Sequence, residues 1–181
     1  MAKSITIKNF LPEYKLEWLR NYSEMAISNP SMQVSFVDNG KQKRVDRLYY
    51  SLNTPLWVFQ EIRLQAEKQF PEFAPLTFRP DSYGHIMHYK EPGDGLKWHK
   101  DQNLGRVSGS LSLTPDEKHD GGDLEIENMK IDSSYNTLNL YSYDTRHRVS
   151  DLNYGEKMSL VLWLPQVGQK VSGQDILWKY E

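Results

Sequence analysis

The chain has 181 residues with 22 Lys plus Arg and 24 Asp plus Glu, a formal net charge of −2. This is the size of one ordinary domain, and its near-neutral balance argues against a protein that holds duplex nucleic acid by counterion release. Cysteine is absent, which excludes disulfides, zinc ribbons, iron–sulfur clusters and thiol nucleophiles, so any metal must be held by imidazole nitrogens and carboxylate oxygens.

The first third reads as helical. Pro12 suits a first helical position, and Trp18, Leu19, Tyr22, Met25 and Ala26 recur at helical spacing until Asn29-Pro30 stops the run. Residues 32–37 alternate weakly like a strand, and Asp38-Asn39-Gly40 is a turn signal. The basic cluster Lys41, Lys43, Arg44 and Arg47 follows, either a solvated loop or a segment that meets substrate. A second helix starts at Thr54-Pro55, carries Val58, Phe59, Ile62, Ala66 and Phe70 on one face, and ends at Pro71.

From residue 75 the period changes to two. Strands are expected at 76–79, 84–90, 95–99, 107–113, 123–127, 137–143, 148–152 and 157–164. Eight short strands between Gly, Asp, Asn and Pro clusters predict a mainly β fold with flanking helices, a sandwich or jelly roll. Within 107–113, Val107, Gly109, Leu111 and Leu113 alternate with Ser108, Ser110 and Ser112. Within 157–164, Met158, Leu160, Leu162 and Leu164 alternate with Lys157, Ser159, Val161 and Trp163. The polar faces point either to solvent or into an internal polar pocket.

His99-Lys100-Asp101 places two ligand-type side chains two residues apart, on one face of an extended backbone. A third ligand is required, and His147, between Arg146 and Arg148, is the best candidate. Two His and one carboxylate on one side of an ion leave the other positions open, the facial triad of non-haem Fe(II) sites. An H-x-D pair alone is common on surfaces, and His85, His88 and His119 compete for the role; His88 suits a hydrogen-bonded core position and His119 a solvated loop.

The order of the surrounding elements adds to this. Tyr89 stands ten residues before His99, with Pro92-Gly93-Asp94-Gly95 between them. Leu111-Ser112-Leu113 and the turn Asp120-Gly121-Gly122-Asp123-Leu124 follow. His147-Arg148-Val149 comes next, then Lys157-x-Ser159 ten residues on, and Trp163 after six more. Over 83–165 the chain resembles the 2-oxoglutarate and Fe(II)-dependent dioxygenases, specifically the prolyl 4-hydroxylase-like branch.

The resemblance implies a double-stranded β-helix, or cupin-like jelly roll, with His99, Asp101 and His147 as catalytic ligands of Fe(II). It implies that Lys157 pairs with the distal carboxylate of 2-oxoglutarate, helped by Ser159 and Tyr89, with Ser112 lining the same pocket and Trp163 forming its wall. Many relatives carry Arg at the place of Lys157, and many carry Tyr at that of Ser112. O2 is the implied second cosubstrate, and ascorbate is admitted as a further reductant.

The expected unit is one domain over 1–181, with helical support to about residue 75, a core over 76–165 and a tail over 166–181. The expected function is hydroxylation of an unactivated C–H bond, with a prolyl residue of a peptide or protein as leading substrate. A small molecule or nucleobase remains open as substrate. A jelly-roll binding protein with a vestigial site and a zinc hydrolase also remain open. Neither a membrane nor a duplex is an expected partner, and the absence of a signal-peptide pattern gives the cytoplasm as the expected compartment.

Overall fold

The computed structural model describes residues 2–29, 33–36, 48–52, 56–79 and 83–171. Both expected helices are present. α1 covers Glu13–Ile27 and α2 covers Leu56–Gln69. Pro12 serves as the N-cap of α1 rather than its first helical residue, and its carbonyl accepts from the amides of Lys15 and Leu16. The buried face of α1 is Leu16, Leu19, Ser23 and Ala26. This is rotated from the expected stripe, since Trp18 is 47% and Met25 63% exposed. Trp18 stacks instead on Tyr22 and meets Trp57 edge-on, so its ring is used at the surface. The buried face of α2 is the expected one, and Phe70 and a 3-10 turn at Pro71–Phe73 close it.

Twelve strands are present among the described residues: β1 (Ser4–Ile7), β2 (Gln33–Phe36), β3 (Leu48–Leu52), β4 (Gly84–Tyr89), β5 (Leu96–His99), β6 (Val107–Ser112), β7 (His119–Asp120), β8 (Leu124–Ile126), β9 (Leu138–Ser142), β10 (His147–Val149), β11 (Tyr154–Gly155) and β12 (Lys157–Leu164). The major sheet has the order β1-β9-β6-β12-β4-β3-β2 and is antiparallel throughout. β5-β10-β8 form the minor sheet, and β11-β7 a separate ribbon. The fold is a jelly roll, as expected.

Four strands lie outside the expected set: β1, β3, β7 and β11. Residues 76–79 form no strand; they make one bridge, Leu76 to Gln166, and the Thr77 amide donates to the Pro165 carbonyl. β1, β2 and β3 carry the first third of the chain into the major sheet, so this region supplies more than helices. The Lys41 to Arg47 cluster, Thr54-Pro55 and the tail beyond residue 171 lie outside the described residues.

The alternation in β12 has a structural meaning. Leu160, Leu162 and Leu164 join Leu111, Leu138 and Leu140 in a core beneath Leu16, Leu19, Phe59 and Ile62 of the helices. Gly109 is needed there, because a Cβ would meet the Leu162 side chain at 2.9 Å. The opposite face of β12 looks into the space between the two sheets. There, Met87, Tyr89, Leu152 and Trp163 form a second cluster with Leu96, Val149 and Val161 at its edge.

Candidate active site

The polar faces of β6 and β12 turn inward. Ser108, Ser112, Lys157 and Ser159 are all buried, which decides for an internal pocket over solvent. Such groups are retained in an interior only where partners or a ligand satisfy them.

β5 and β10 are antiparallel neighbours, and His99 stands opposite His147 in their register. The ring centroids lie 4.2 Å apart. Asp101, just past the end of β5, closes the group. Its Oδ1 lies 3.4 Å from His99 Nε2, and its Oδ2 lies 3.5 Å from His147 Nε2. The three ligand-type atoms all fall within 4.8 Å of one another. Each imidazole donates from Nδ1 to the carbonyl two residues earlier, His99 to Lys97 at 2.8 Å and His147 to Thr145 at 3.1 Å. That fixes the tautomer and leaves each Nε2 lone pair facing the centre, as a metal site requires.

Asp101 is itself held. The Ser108 hydroxyl donates to its Oδ2 at 2.7 Å, and the Trp163 indole N–H donates to the same oxygen at 3.0 Å. Ser108 and Trp163 are directly opposite in the β6–β12 register, so one cross-strand pair delivers both bonds. Oδ1 is left for an ion. Burial pushes the Asp101 carboxyl up, but the imidazoles of His147 and His99 and the Ser108 hydroxyl outweigh it and hold it well below the usual carboxylate range. Burial lowers His147 below its ordinary 6.5, and Asp101 reverses this only in part. We therefore take the neutral-pH state as an anionic Asp101 carboxylate beside a neutral His147 imidazole. These donors fit a divalent cation of the Fe(II) kind.

The pocket in front of these groups is lined by Met87, Tyr89, Leu96, Ser159, Val161 and Trp163, among others. Tyr89 and Trp163 thus stand on its wall, and Trp163 also braces Asp101. Lys157 is the next residue along the face, two before Ser159 and opposite Tyr89. Its side chain is only 2% exposed and its Nζ donates to Asp123 Oδ1 at 2.7 Å. Ser112 is paired with Ser159 across the strands, and its hydroxyl is buried with no protein partner. Lys157 and Ser112 do not line the pocket themselves but flank Ser159, which does; an ammonium and an orphan hydroxyl there suit a carboxylate, so the residues present fit an acidic cosubstrate as well as a metal.

The competing histidines lie elsewhere. His85 packs edge-on against Trp163, and His88 pairs through Nε2 with Glu156 at 2.9 Å. His119, expected in solvent, is buried, with Nδ1 bonded to the Gly121 carbonyl. It is itself part of the β7–β11 ribbon, opposite Gly155. Ser108 and Asp123 were missed as functional residues. The serine alternation of β6 and the Gly-Gly-Asp turn were the signals that could have found them.

Fold and site together define a jelly-roll enzyme with a two-His, one-carboxylate centre. Residues 84–165 match the family described as the 2OG-Fe(II) oxygenase superfamily. That segment runs from β4 through β12 and contains all three triad residues. Over that segment, a little under half of the chain, the protein is similar to this superfamily of 2-oxoglutarate and Fe(II)-dependent oxygenases, and its His99, Asp101 and His147 could hold such a metal. No match was found among curated proteins.

Several solved structures share the fold. A Pseudomonas putida prolyl-4-hydroxylase is 17% identical, with 94% of this chain and 93% of that one covered at a TM-score of 0.67. A Trichoplax adhaerens prolyl hydroxylase, in complex with a hypoxia inducible factor peptide fragment, is 16% identical over 91% and 84% at 0.71. The epimerase SnoN, in complex with Fe3+, alpha ketoglutarate and nogalamycin RO, is 9% identical over 96% and 84% at 0.73. No helix among the described residues is long and apolar enough to cross a membrane.

Proposed function

We infer that the protein hydroxylates a prolyl residue of a peptide or protein, working as a single domain over its whole length. The observation that carries the chemistry is the convergence of His99, Asp101 and His147 at a pocket whose wall residue Ser159 stands two positions from the buried ammonium of Lys157. When bound, Fe(II) and 2-oxoglutarate would supply the oxidation, with one atom of O2 going to succinate, CO2 released and the other atom going to the product as hydroxyl.

The chain's own groups do the binding and placing. His99, Asp101 and His147 hold the metal from one side. The Lys97 and Thr145 carbonyls orient the imidazoles, while Ser108 and Trp163 reserve Asp101 Oδ1 for the ion. Lys157 receives the distal carboxylate of the cosubstrate, with Tyr89 opposite it in register and the hydroxyls of Ser112 and Ser159 close by. Met87, Leu96, Val149 and Val161 make the remaining wall apolar and exclude water.

Support for proline comes from the P. putida prolyl-4-hydroxylase, which matches nearly end to end in both chains. Support for a peptide comes from the relative captured with one. The similarly good match to SnoN favours a small-molecule substrate as the second reading. Incubation with Fe(II), 2-oxoglutarate and a library of proline-containing peptides separates them. Proline peptides should accelerate succinate formation and gain one oxygen atom by mass spectrometry, with alanine at the target position abolishing the gain. Oxygen transfer to a small molecule only would replace proline by the second reading.

A further inference from the structure

We propose that Asp123 is a positioning residue that competes with the distal carboxylate of 2-oxoglutarate for Lys157, and so sets how tightly the cosubstrate binds. This rests on the reading of Lys157 as the carboxylate partner.

A fully buried ammonium needs an anion beside it. Asp123 provides one, with Oδ1 2.7 Å from Lys157 Nζ. The same oxygen accepts from the Ser133 hydroxyl at 3.2 Å. Gly121 and Gly122 bring Asp123 there. Their φ values of +77° and +69° are a turn that glycine favours, and a Cβ on Gly122 would sit 3.3 Å from the Lys157 Cδ. The turn is pinned on both sides of its backbone to Ser150. The Asp123 amide donates to Ser150 Oγ at 3.0 Å, and the Ser150 amide donates to the Asp123 carbonyl at 2.9 Å.

The two partners are unequally placed. The Asp123 side chain is 45% exposed against 2% for Lys157. Asp123 can therefore turn into water by side-chain rotation alone, while Lys157 stays where it is. Release is favoured when the cosubstrate arrives. A divalent cation, Asp101, Lys157 and a dicarboxylate balance to zero charge, and Asp123 adds a negative charge that nothing compensates. Two carboxylates on one ammonium also repel at this range in a poorly solvated site. Cosubstrate binding thus breaks an existing ion pair, and its affinity is reduced by that amount.

The test is anaerobic calorimetric titration of the Fe(II)-loaded protein with 2-oxoglutarate. Asp123→Asn keeps the shape and removes the charge. It should tighten 2-oxoglutarate binding by about 5- to 30-fold. The rise in unfolding midpoint on adding saturating 2-oxoglutarate should be larger in this variant than in the wild type. Ser133→Ala keeps the ion pair but removes the hydroxyl bracing Asp123. It should move affinity the same way by about twofold, and it carries the test alone if Asp123→Asn does not fold. Lys157→Met serves as the control for the pocket. If it leaves 2-oxoglutarate affinity unchanged, the assignment of Lys157 fails and the proposal with it. If Lys157→Met weakens binding while Asp123→Asn and Ser133→Ala leave it unchanged or weaken it, Asp123 is a structural counter-ion and the proposal alone is overturned.

Discussion

His147 and Asp101 carry opposite charge preferences in one buried space, and that makes the site sensitive to acid. Their folded values both lie below the ordinary 6.5 and 3.8. In each case the unfolded chain takes up a proton at a higher pH than the folded one. Stability from His147 is therefore complete above 6.5 and lost as pH falls below it toward the lowered folded value. Stability from Asp101 is complete above 3.8 and lost in the same sense further down. The unfolding midpoint of the metal-free protein should decline as pH drops below about 6.5. His147→Asn should flatten that first decline and also weaken the one from Asp101, because the His147 imidazole is the chief group holding that carboxyl low. An unchanged profile in this variant would mean another group titrates.

Metal affinity belongs to the same residues. His99→Ala or His147→Ala should abolish stoichiometric Fe(II) binding, read by metal analysis after gel filtration, with the far-ultraviolet circular dichroism preserved. Trp163→Phe keeps the apolar wall but removes one donor to Asp101. Loss of such an outer contact should weaken Fe(II) by roughly 10- to 100-fold. Unaltered affinity would reduce Trp163 to packing. That His99, Asp101 and His147 lie together was anticipated from their residue types and from the order of the elements around them. Asp123 was not, because an aspartate after two glycines looks like an ordinary turn until Lys157 is placed across from it.

At the scale of elements, β12 does most of the positioning. Its even residues press on the helices, and its odd residues present Lys157, Ser159 and Trp163 to the pocket. A one-residue slip would reverse the two sets, so register matters more here than sequence identity. The pairs Ser159 with Ser112 and Trp163 with Ser108 fix that register against β6. The turn before β8 has its own constraint. Gly121 has a positive φ, and a Cβ there would sit 2.1 Å from the Asp151 carbonyl oxygen. Gly121→Ala should destabilise the fold by about 2 kcal/mol or more in a denaturant titration. A neutral effect would show that the turn can open away from Asp151. Two of the four strands outside the expected set share a reason. β7 and β11 are two residues each, too short for a period of two to register.

For the whole molecule, the major sheet separates two jobs. Helices α1 and α2 cover its outer face, and the site lies on its inner face. Ile62 is fully buried on the helix side, next to Leu162, Leu140 and the gap at Gly109. Ile62→Ala should cost about 2–5 kcal/mol of stability through the cavity it leaves. Affinity for Fe(II) and 2-oxoglutarate, measured in the folded variant, should stay close to that of the wild type. A large loss of Fe(II) affinity would show that the outer core transmits strain to the triad.

The sequence by itself determined the fold class, both helices and the core strands, because each rests on local periodicity, and it singled out His99, Asp101 and His147 as candidate ligands by residue type and by the family-like order of the elements around them. It could not say whether the serine faces of β6 and β12 met water or a pocket, since alternation is the same in both cases. Tertiary structure decided that by laying the minor sheet over them. It also decided which face of α1 is buried: Trp18 is as apolar as Leu16, but only the sheet beneath selects between them. The same holds for the Lys157–Asp123 pair, whose members stand 34 residues apart in sequence and meet only because the Gly121-Gly122 turn folds back onto β12.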